Sequence, residues 1–301
     1  MNNKVLISVL NYCDFDSTKS CVESILLDLN NTEKVLIIDN NSQDESYRKL
    51  KNHFKELKVV NSKTNTGYAG GHKIAVDYAI NHGFKFVWIL NNDLKVRKDA
   101  LKNLIHAYNS KGMGIYGSIT LKSENPDIVN FGGGQTDDVL KPLDYNSFEN
   151  FRLDHYPKFP ETRPVQCIEG SSVLIPSEII RKHGFMRLDF FMYGEETDYC
   201  YRMKKLGISS YVVSNSVVIH KGEESFKEDP RVKYYKRRNG LYFEKTHYNV
   251  SIFKNIHIRS GWISILKYFI KSLFVKPLKN ETYYINLANI HAILDVKGKL
   301  T

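Results

Sequence analysis

Cysteine is scarce: Cys13, Cys21, Cys167 and Cys200 are the four among 301 residues. None belongs to a CxxC pair, which argues against a zinc knuckle or a dithiol redox motif. Free thiols in a cytoplasmic protein are the simple expectation. No apolar run reaches the length of about 18 residues that a membrane-spanning helix needs. The opening stretch MNNKVLISVL is apolar only briefly before a polar turn, unlike a secretory leader. Two glycine signatures are also missing. A dinucleotide fold calls for GxGxxG after its first strand, where this chain reads Asn11-Tyr12-Cys13-Asp14-Phe15-Asp16. A phosphate loop of the GxxxxGK[ST] type is absent. These absences disfavour a dinucleotide oxidoreductase and a P-loop NTPase.

What is present is ordinary globular composition, 42% hydrophobic and 25% charged. The length suits one large domain or two ordinary ones. The net charge is +10, but it is unevenly placed. Residues 201–301 carry 19 Lys and Arg against 7 Asp and Glu, whereas residues 1–200 carry 24 against 26. The basic character belongs to the last third. That weakens a nucleic-acid reading based on the overall charge and suits a local anionic neighbour such as a membrane face.

The first hundred residues alternate between apolar runs and amphipathic stretches. Val5–Asn11, Val35–Asp39, Lys58–Asn61 and Phe84–Leu90 read as strands. Helices are expected from Ser17 to Leu29, up to about Leu57, up to Asn81 and from about Lys98 to Ser110. Such alternation implies a mostly parallel sheet covered on both faces. Ligands bind such sheets beyond the carboxyl ends of the strands. The polar clusters Asn11–Asp14, Asp39–Ser42 and Asn91–Asp93 should therefore converge on one rim. Further along, strands are expected at 115–121, 128–131 and 173–175, then a helix from Pro176 to His183. Gly132–Gly134 reads as a turn or hinge, and residues 135–163 as a loop over the site. A helix follows from Glu195 to Leu206, and Val212–Val213 and Val217–Ile219 read as two strands leading to His220.

The order of motifs resembles family 2 glycosyltransferases of the GT-A fold, in the rhamnosyltransferase-like branch. The matching stretches are SVLNY (8–12), IIDNNSQDES (37–46), NSKTNTGYAGGH (61–72), WILNNDL (88–94), EGSSVLI (169–175), FFMYGEETDYCYRMKKLG (190–207), VVIHKGEES (217–225) and YYKRRN (234–239). The resemblance implies an α/β fold of the nucleotide-diphospho-sugar transferase type, its central sheet flanked by helices. Residues 1–245 would be the catalytic domain, with a nucleotide-binding half (1–110) and an acceptor or catalytic half (111–245). Residues 246–301 would form a basic, amphipathic, helical C-terminal region.

The same resemblance implies roles. Asn11, Asp39 and Asn41 would hold the base and ribose. Asn65, Gly67 and Gly71 would line the nucleotide pocket, with Gly71 opening a helix whose amides favour phosphate. Asn91-Asn92-Asp93 stands where the family has its DxD metal motif. Asp93 would bind Mg²⁺ or Mn²⁺, with Asn91 and His220 as further ligands and Asn92 toward the nucleotide. Glu195-Glu196 occupies the acidic motif, with Glu196 the first choice of general base and Glu195 the alternative.

The implied reaction is metal-dependent and inverting. A dTDP- or UDP-sugar, rhamnose by branch resemblance, would pass its sugar to a cell-surface or lipid-linked glycan such as O-antigen or capsule. The alternative is a non-catalytic sugar-nucleotide-binding or assembly module, suggested by Asn91 where an Asp is common. No nucleic-acid partner is expected. The segment Trp262–Val275, with Lys267 and Lys271 on one helix face, suits peripheral contact with the inner face of the cell membrane. It equally suits a seam against the catalytic domain or against a second copy in a homodimer.

Overall fold

A computed structural model describes residues 4–134, 152–153, 161–221, 229–260, 263, 266–267 and 281–300. The expected loop over the site (135–163) and the segment 262–275 lie largely outside the described residues.

The chain builds one ten-stranded sheet in the order β3-β2-β1-β4-β9-β6-β10-β5, with β7 paired to β6 and β8 to β10. These strands are β1 (Val5–Asn11), β2 (Glu33–Asp39), β3 (Lys58–Asn61), β4 (Phe86–Asn91), β5 (Leu94–Val96), β6 (Gly114–Lys122), β7 (Val129–Phe131), β8 (Thr162–Val165), β9 (Ser172–Pro176) and β10 (Ser209–His220). The pairings of β1 with β2 and β4, β2 with β3, and β6 with β10 are parallel. β9 inserts antiparallel between β4 and β6. β5, β7 and β8 are antiparallel additions, so the sheet is parallel through its first half and mixed beyond it.

Helices α1 (Phe15–Leu26), α2 (Ser46–His53), α3 (Gly67–Asn81), α4 (Ala100–Lys111), α5 (Ser177–His183) and α6 (Glu195–Lys205) cover both faces. Side chains alternate across a strand, and β1 divides accordingly. Val5, Ile7 and Val9 pack with Val22 and Ile25 of α1 and Leu101 and Leu104 of α4. Leu6 packs on the other face with Ala75 and Val76 of α3 and Met203 of α6. The apolar sequences of β1 and β2 follow from this burial on two sides.

Three expectations are corrected. Val212–Val213 and Val217–Ile219 are one strand, β10, broken by a register shift between Val213 and Val217. Beyond that shift, Val218–His220 pair with β5, which sits just after Asp93. Gly132–Gly134 is tied down rather than a free hinge, because Gly134 bridges Cys167. Helix α3 begins at Gly67, so Gly71 lies inside it. A Cβ at Gly71 would fall 2.4 Å from Leu10 Cδ1. Gly71 therefore serves close packing of α3 on β1 rather than opening a helix.

Among the described residues, α7 (Arg231–Tyr248), α8 (Ile252–Ser260) and α9 (Glu281–Ile293) form a C-terminal layer. α7 runs through the boundary drawn at residue 245. Leu241, Tyr242, Ile252, Ile256 and Ala292 enclose Phe190. Tyr234, Tyr235, Tyr284 and Ala288 enclose Phe191. The layer thus packs on residues that lead into α6.

Gly67 has φ +76°, and a Cβ there would lie 2.0 Å from Phe191 O. Gly67→Ala faces both backbone strain and a clash with main chain. We expect it to lower the unfolding free energy by about 1–3 kcal/mol, read as a lower urea midpoint at unchanged slope. An unchanged midpoint would contradict the packing described.

Candidate active site

The three polar clusters do converge. Register places Asn11 beside Asp39 and Leu10 beside Asn91, so the carboxyl ends of β1, β2 and β4 share one rim. A chain of hydrogen bonds runs along it. Asn92 Nδ2 donates to Thr18 Oγ1 (3.0 Å), and Thr18 Oγ1 donates to Asn11 Oδ1 (2.7 Å). Asn11 Nδ2 donates to Asp39 Oδ2 at 2.6 Å. Asp39 also accepts from the backbone N (2.8 Å) and Oγ (2.7 Å) of Ser42. Asn11 and Asp39 are fully buried. Their polar atoms hold the strand ends together, while half-buried Asn41, at φ +63°, is presented at the turn.

Asn40 extends the rim. Its Nδ2 donates to Gly67 O (2.9 Å) and Asn65 Oδ1 (3.2 Å), and its Oδ1 accepts from Thr66 N (3.2 Å). Asn65 Oδ1 also accepts from Gly67 N at 2.9 Å. The Asn65–Gly67 turn is thereby fixed at the start of α3. Gly67 itself is buried against Phe191, so it serves this junction.

His220, at the end of β10, lies between two carboxylates. Its Nε2 is 3.2 Å from Asp93 Oδ1 and its Nδ1 is 3.3 Å from Glu169 Oε1. Burial opposes the imidazolium, but Glu169 and Asp93 outweigh it and push the His220 pKa up to about 10. Burial likewise opposes ionisation of Glu169. The His220 charge, with a hydrogen bond from Ser171 Oγ (2.9 Å), nevertheless holds it below the usual carboxylate range. Asp93 Oδ1 and His220 Nδ1 are both buried without a well-aligned hydrogen bond among the described residues.

With its Nε2 proton displaced, His220 could join Asp93 in holding a divalent ion. Cis ligands of an octahedral ion bound at about 2.1 Å stand about 3 Å apart, close to the 3.2 Å between Asp93 and His220. Among the described residues no group of three or more His, Cys, Asp or Glu side chains is arranged to hold a metal. Asn91 closes β4, with its backbone N donating to Ser171 O (3.0 Å).

Glu195 and Glu196, adjacent in sequence, sit in different surroundings. Glu195 is 1% exposed, and neither carboxylate oxygen has a hydrogen-bond partner among the described residues. Burial first, then the neighbouring Glu196 charge, push its pKa well above the usual range. Glu196 is half-exposed. Its Cγ would lie 3.7 Å from a Cβ placed on Gly170, which puts it beside the glycine following Glu169. Tyr68 joins the two sides of the site. Its hydroxyl donates to Gly170 O, and burial together with Glu196, Glu195 and Glu169 raises its pKa. Next to it, His72 bonds Ser8 Oγ through Nδ1 (2.7 Å). Burial lowers the His72 pKa to about 3, so it stays neutral.

Against this geometry, the glycosyl transferase family 2 profile matches residues 4–161, just over half of the chain. The chain belongs to glycosyl transferase family 2. A curated relative, the low-salt glycan biosynthesis hexosyltransferase Agl10 of Haloferax volcanii, is 25% identical over 214 residues, 69% of this chain. The chain spans 64% of that relative's length.

Solved structures share the fold. GalNAc-T7 with UDP, GalNAc and Mn²⁺ superposes at TM-score 0.60 and 13% identity, covering 97% of this chain and 57% of its own. The mannosyltransferase PcManGT of Pyrobaculum calidifontis, with GDP-Man and Mn²⁺, reaches 0.59 at 11% identity, covering 97% and 87%. S. aureus TarS 1-349 reaches 0.54 at 12%, covering 97% and 92%. The family 2 chain thus has a GT-A-like α/β fold with a helical C-terminal layer.

Sequence reasoning missed Thr18, Asn40, Ser42, Tyr68 and Glu169 as individual contributors. Ser42 and Asn40 lay inside the quoted IIDNNSQDES motif, and the three-residue spacing from Asp39 to Ser42 is a turn signal. Glu169 opened EGSSVLI, but nothing local tied it to His220. Thr18, within α1, carried no signal.

Two outcomes follow. Thr18→Val breaks two links of the buried chain and leaves Asn11 and Asn92 short of a partner. We expect a loss of about 1–3 kcal/mol in denaturant titration, and no loss would overturn the bracing role. Glu195 gives a pH effect of opposite sign to an ion-paired carboxylate. Its folded pKa is raised, so the native state loses stability as pH climbs from about 4.3, the unfolded value, toward the folded value. Glu195→Gln should lack that decline, gaining on the wild type above pH 5. Parallel stability–pH curves would contradict the assignment.

Proposed function

We propose that this family 2 chain is an inverting glycosyltransferase that passes a sugar from a nucleoside diphosphate donor to a glycan hydroxyl. One observation carries the reading: the Asp93–His220 pair follows the end of β4, whose Asn91 N bonds Ser171 O, and Glu196 lies beside the neighbouring Gly170. The relative that is a hexosyltransferase and the neighbours bound to UDP or GDP-Man with Mn²⁺ support it.

Glu196 is the general base. It accepts the acceptor's proton as the hydroxyl attacks the anomeric carbon, which gains oxocarbenium character as its bond to diphosphate breaks. Single displacement inverts that centre and leaves no sugar on the enzyme. Glu195, buried beside it, favours its own protonated form, so Glu196 is the ionised member of the pair. Asp93 and His220 would hold Mn²⁺ or Mg²⁺, which when bound neutralises charge on the departing diphosphate. Asn11 and Asp39 act by shaping the nucleotide rim, with Asn41 and Asn65 presented along it. The donor is a UDP- or dTDP-sugar, with rhamnose the first sugar to test and GDP-mannose the comparison.

Contact with an anionic membrane surface belongs to the same reading. Phe253 (54% exposed), Ile263 (70%) and Leu266 (59%) are exposed large apolar residues in the basic C-terminal third. Among the described residues no helix is long and apolar enough to cross a membrane.

Calorimetric titration with UDP, dTDP, GDP and CDP, each with and without Mn²⁺, is the decisive experiment. One nucleotide should bind tightly only with metal, and Asp93→Ala should weaken it at least tenfold. Glu196→Gln should keep that binding and lose about 10²–10⁴-fold in turnover. No nucleotide binding by folded protein would sink the reading. Binding without any turnover would leave the non-catalytic alternative. In a separate sedimentation assay, vesicles containing anionic lipid should pull the protein down, and Phe253→Ser should reduce that; equal recovery with neutral vesicles would remove the membrane contact.

A further inference from the structure

The YYKRRN stretch is the one quoted motif to which the proposed chemistry gives no task. It lies in α7, and its last two residues reach the turn that carries Glu195 and Glu196. That turn is strained: Phe191, Tyr193 and Gly194 have φ of +69°, +68° and +91°. Two departures by non-glycine residues within three positions need external support.

Asn239 supplies it. Its Nδ2 lies within hydrogen-bond distance of three main-chain oxygens of the turn, Phe190 O (3.1 Å), Met192 O (2.8 Å) and Tyr193 O (2.8 Å). Arg238 sets the orientation of that amide. Its Nε donates to Asn239 Oδ1 at 3.0 Å, so the amide nitrogen must face the turn. Arg238 Nη2 donates to Phe190 O (2.7 Å), and Nη1 to Gly298 O (2.7 Å) and Tyr234 Oη (3.2 Å). The guanidinium is fully buried, and these partners satisfy its fork. On its far side the turn grips α3, because Phe191 O accepts from Tyr68 N at 2.8 Å.

The same helix clamps α6 one turn further on. Asp198 of α6 is bonded by His247 Nε2 of α7 (2.9 Å) and Arg202 Nε (2.8 Å), and both Asp198 and His247 are buried. Helix α7 therefore fixes α6 at two points, one before Glu195 and one after Glu196.

We propose that Asn239, oriented by Arg238, is a positioning residue for Glu196. It holds the 190–194 turn in the conformation that aims the carboxylate beside Gly170 and Tyr68. Through Gly298 and α9, the C-terminal layer becomes part of the catalytic device rather than an appendage. The inference rests on the base assignment to Glu196.

Asn239→Asp tests it, since it keeps the shape of the side chain and removes the donor. The assay is release of nucleoside diphosphate from the UDP- or GDP-hexose whose nucleotide binds with Mn²⁺. A displacement of the base by about 1 Å lowers kcat by about 10²-fold. The expected result is a fall of that order in kcat, with donor KM and nucleotide Kd within threefold and the acidic limb of the pH–rate profile shifted. Unchanged kcat, or kcat and nucleotide affinity falling together, would overturn the proposal. If Asn239→Asp does not fold, Asn239→Ser replaces it under the same criteria. In parallel, hydrogen exchange at the Tyr68 amide should speed up in either folded variant. Glu196→Gln separates the two readings. If it keeps turnover, the base assignment fails; if it is inactive while Asn239→Asp behaves as wild type, only the positioning role fails.

Discussion

The hydrogen-bonded chain Ser42–Asp39–Asn11–Thr18–Asn92 is the constraint on which the site depends. Parallel strands end with unpaired peptide groups and polar side chains crowded at one edge. Burying them without partners would cost about 1–3 kcal/mol each. Here they satisfy one another, and in doing so fix the relative heights of β1, β2 and β4. Every group beyond the rim inherits its position from that clip: Asn41 from the Asp39 turn, Asp93 from the step after Asn92, and the start of α3 from the Asn40–Gly67 bond.

A second clip works from the opposite side. The 190–194 turn is forced into positive φ, touches α3 through Phe191 and is gripped by α7 through Asn239. The two clips meet at Gly67, where a side chain has no room. Helix α3 and the turn that leads into α6 are thus joined by main-chain contact.

Environment also separates the roles of like groups. Glu195 and Glu196 are consecutive on a helix, yet one is sealed and the other half-exposed. Sealing favours the protonated form of the first. His220 is held between Asp93 and Glu169, so its charge is balanced locally.

Periodicity alone located most strands and helices of the first hundred residues, because parallel strands buried on two faces must be apolar throughout and their covering helices amphipathic. It also placed Asn11, Asp39 and Asn91 at strand ends, and the sheet made those strands neighbours. Contacts between distant segments were decided only in three dimensions. Glu169 meets His220, Thr18 joins Asn11 to Asn92, and Arg238 and Asn239 reach back to Phe190, each across a sequence gap that no local pattern encodes. Gly71 shows the limit within a motif. The resemblance gave Gly71 the start of a helix, whereas α3 begins at Gly67 and Gly71 packs against Leu10. Sequence fixes which residues can bond or bury, since that is a property of each side chain. Which of them do so together depends on how the sheet and its C-terminal layer close around them.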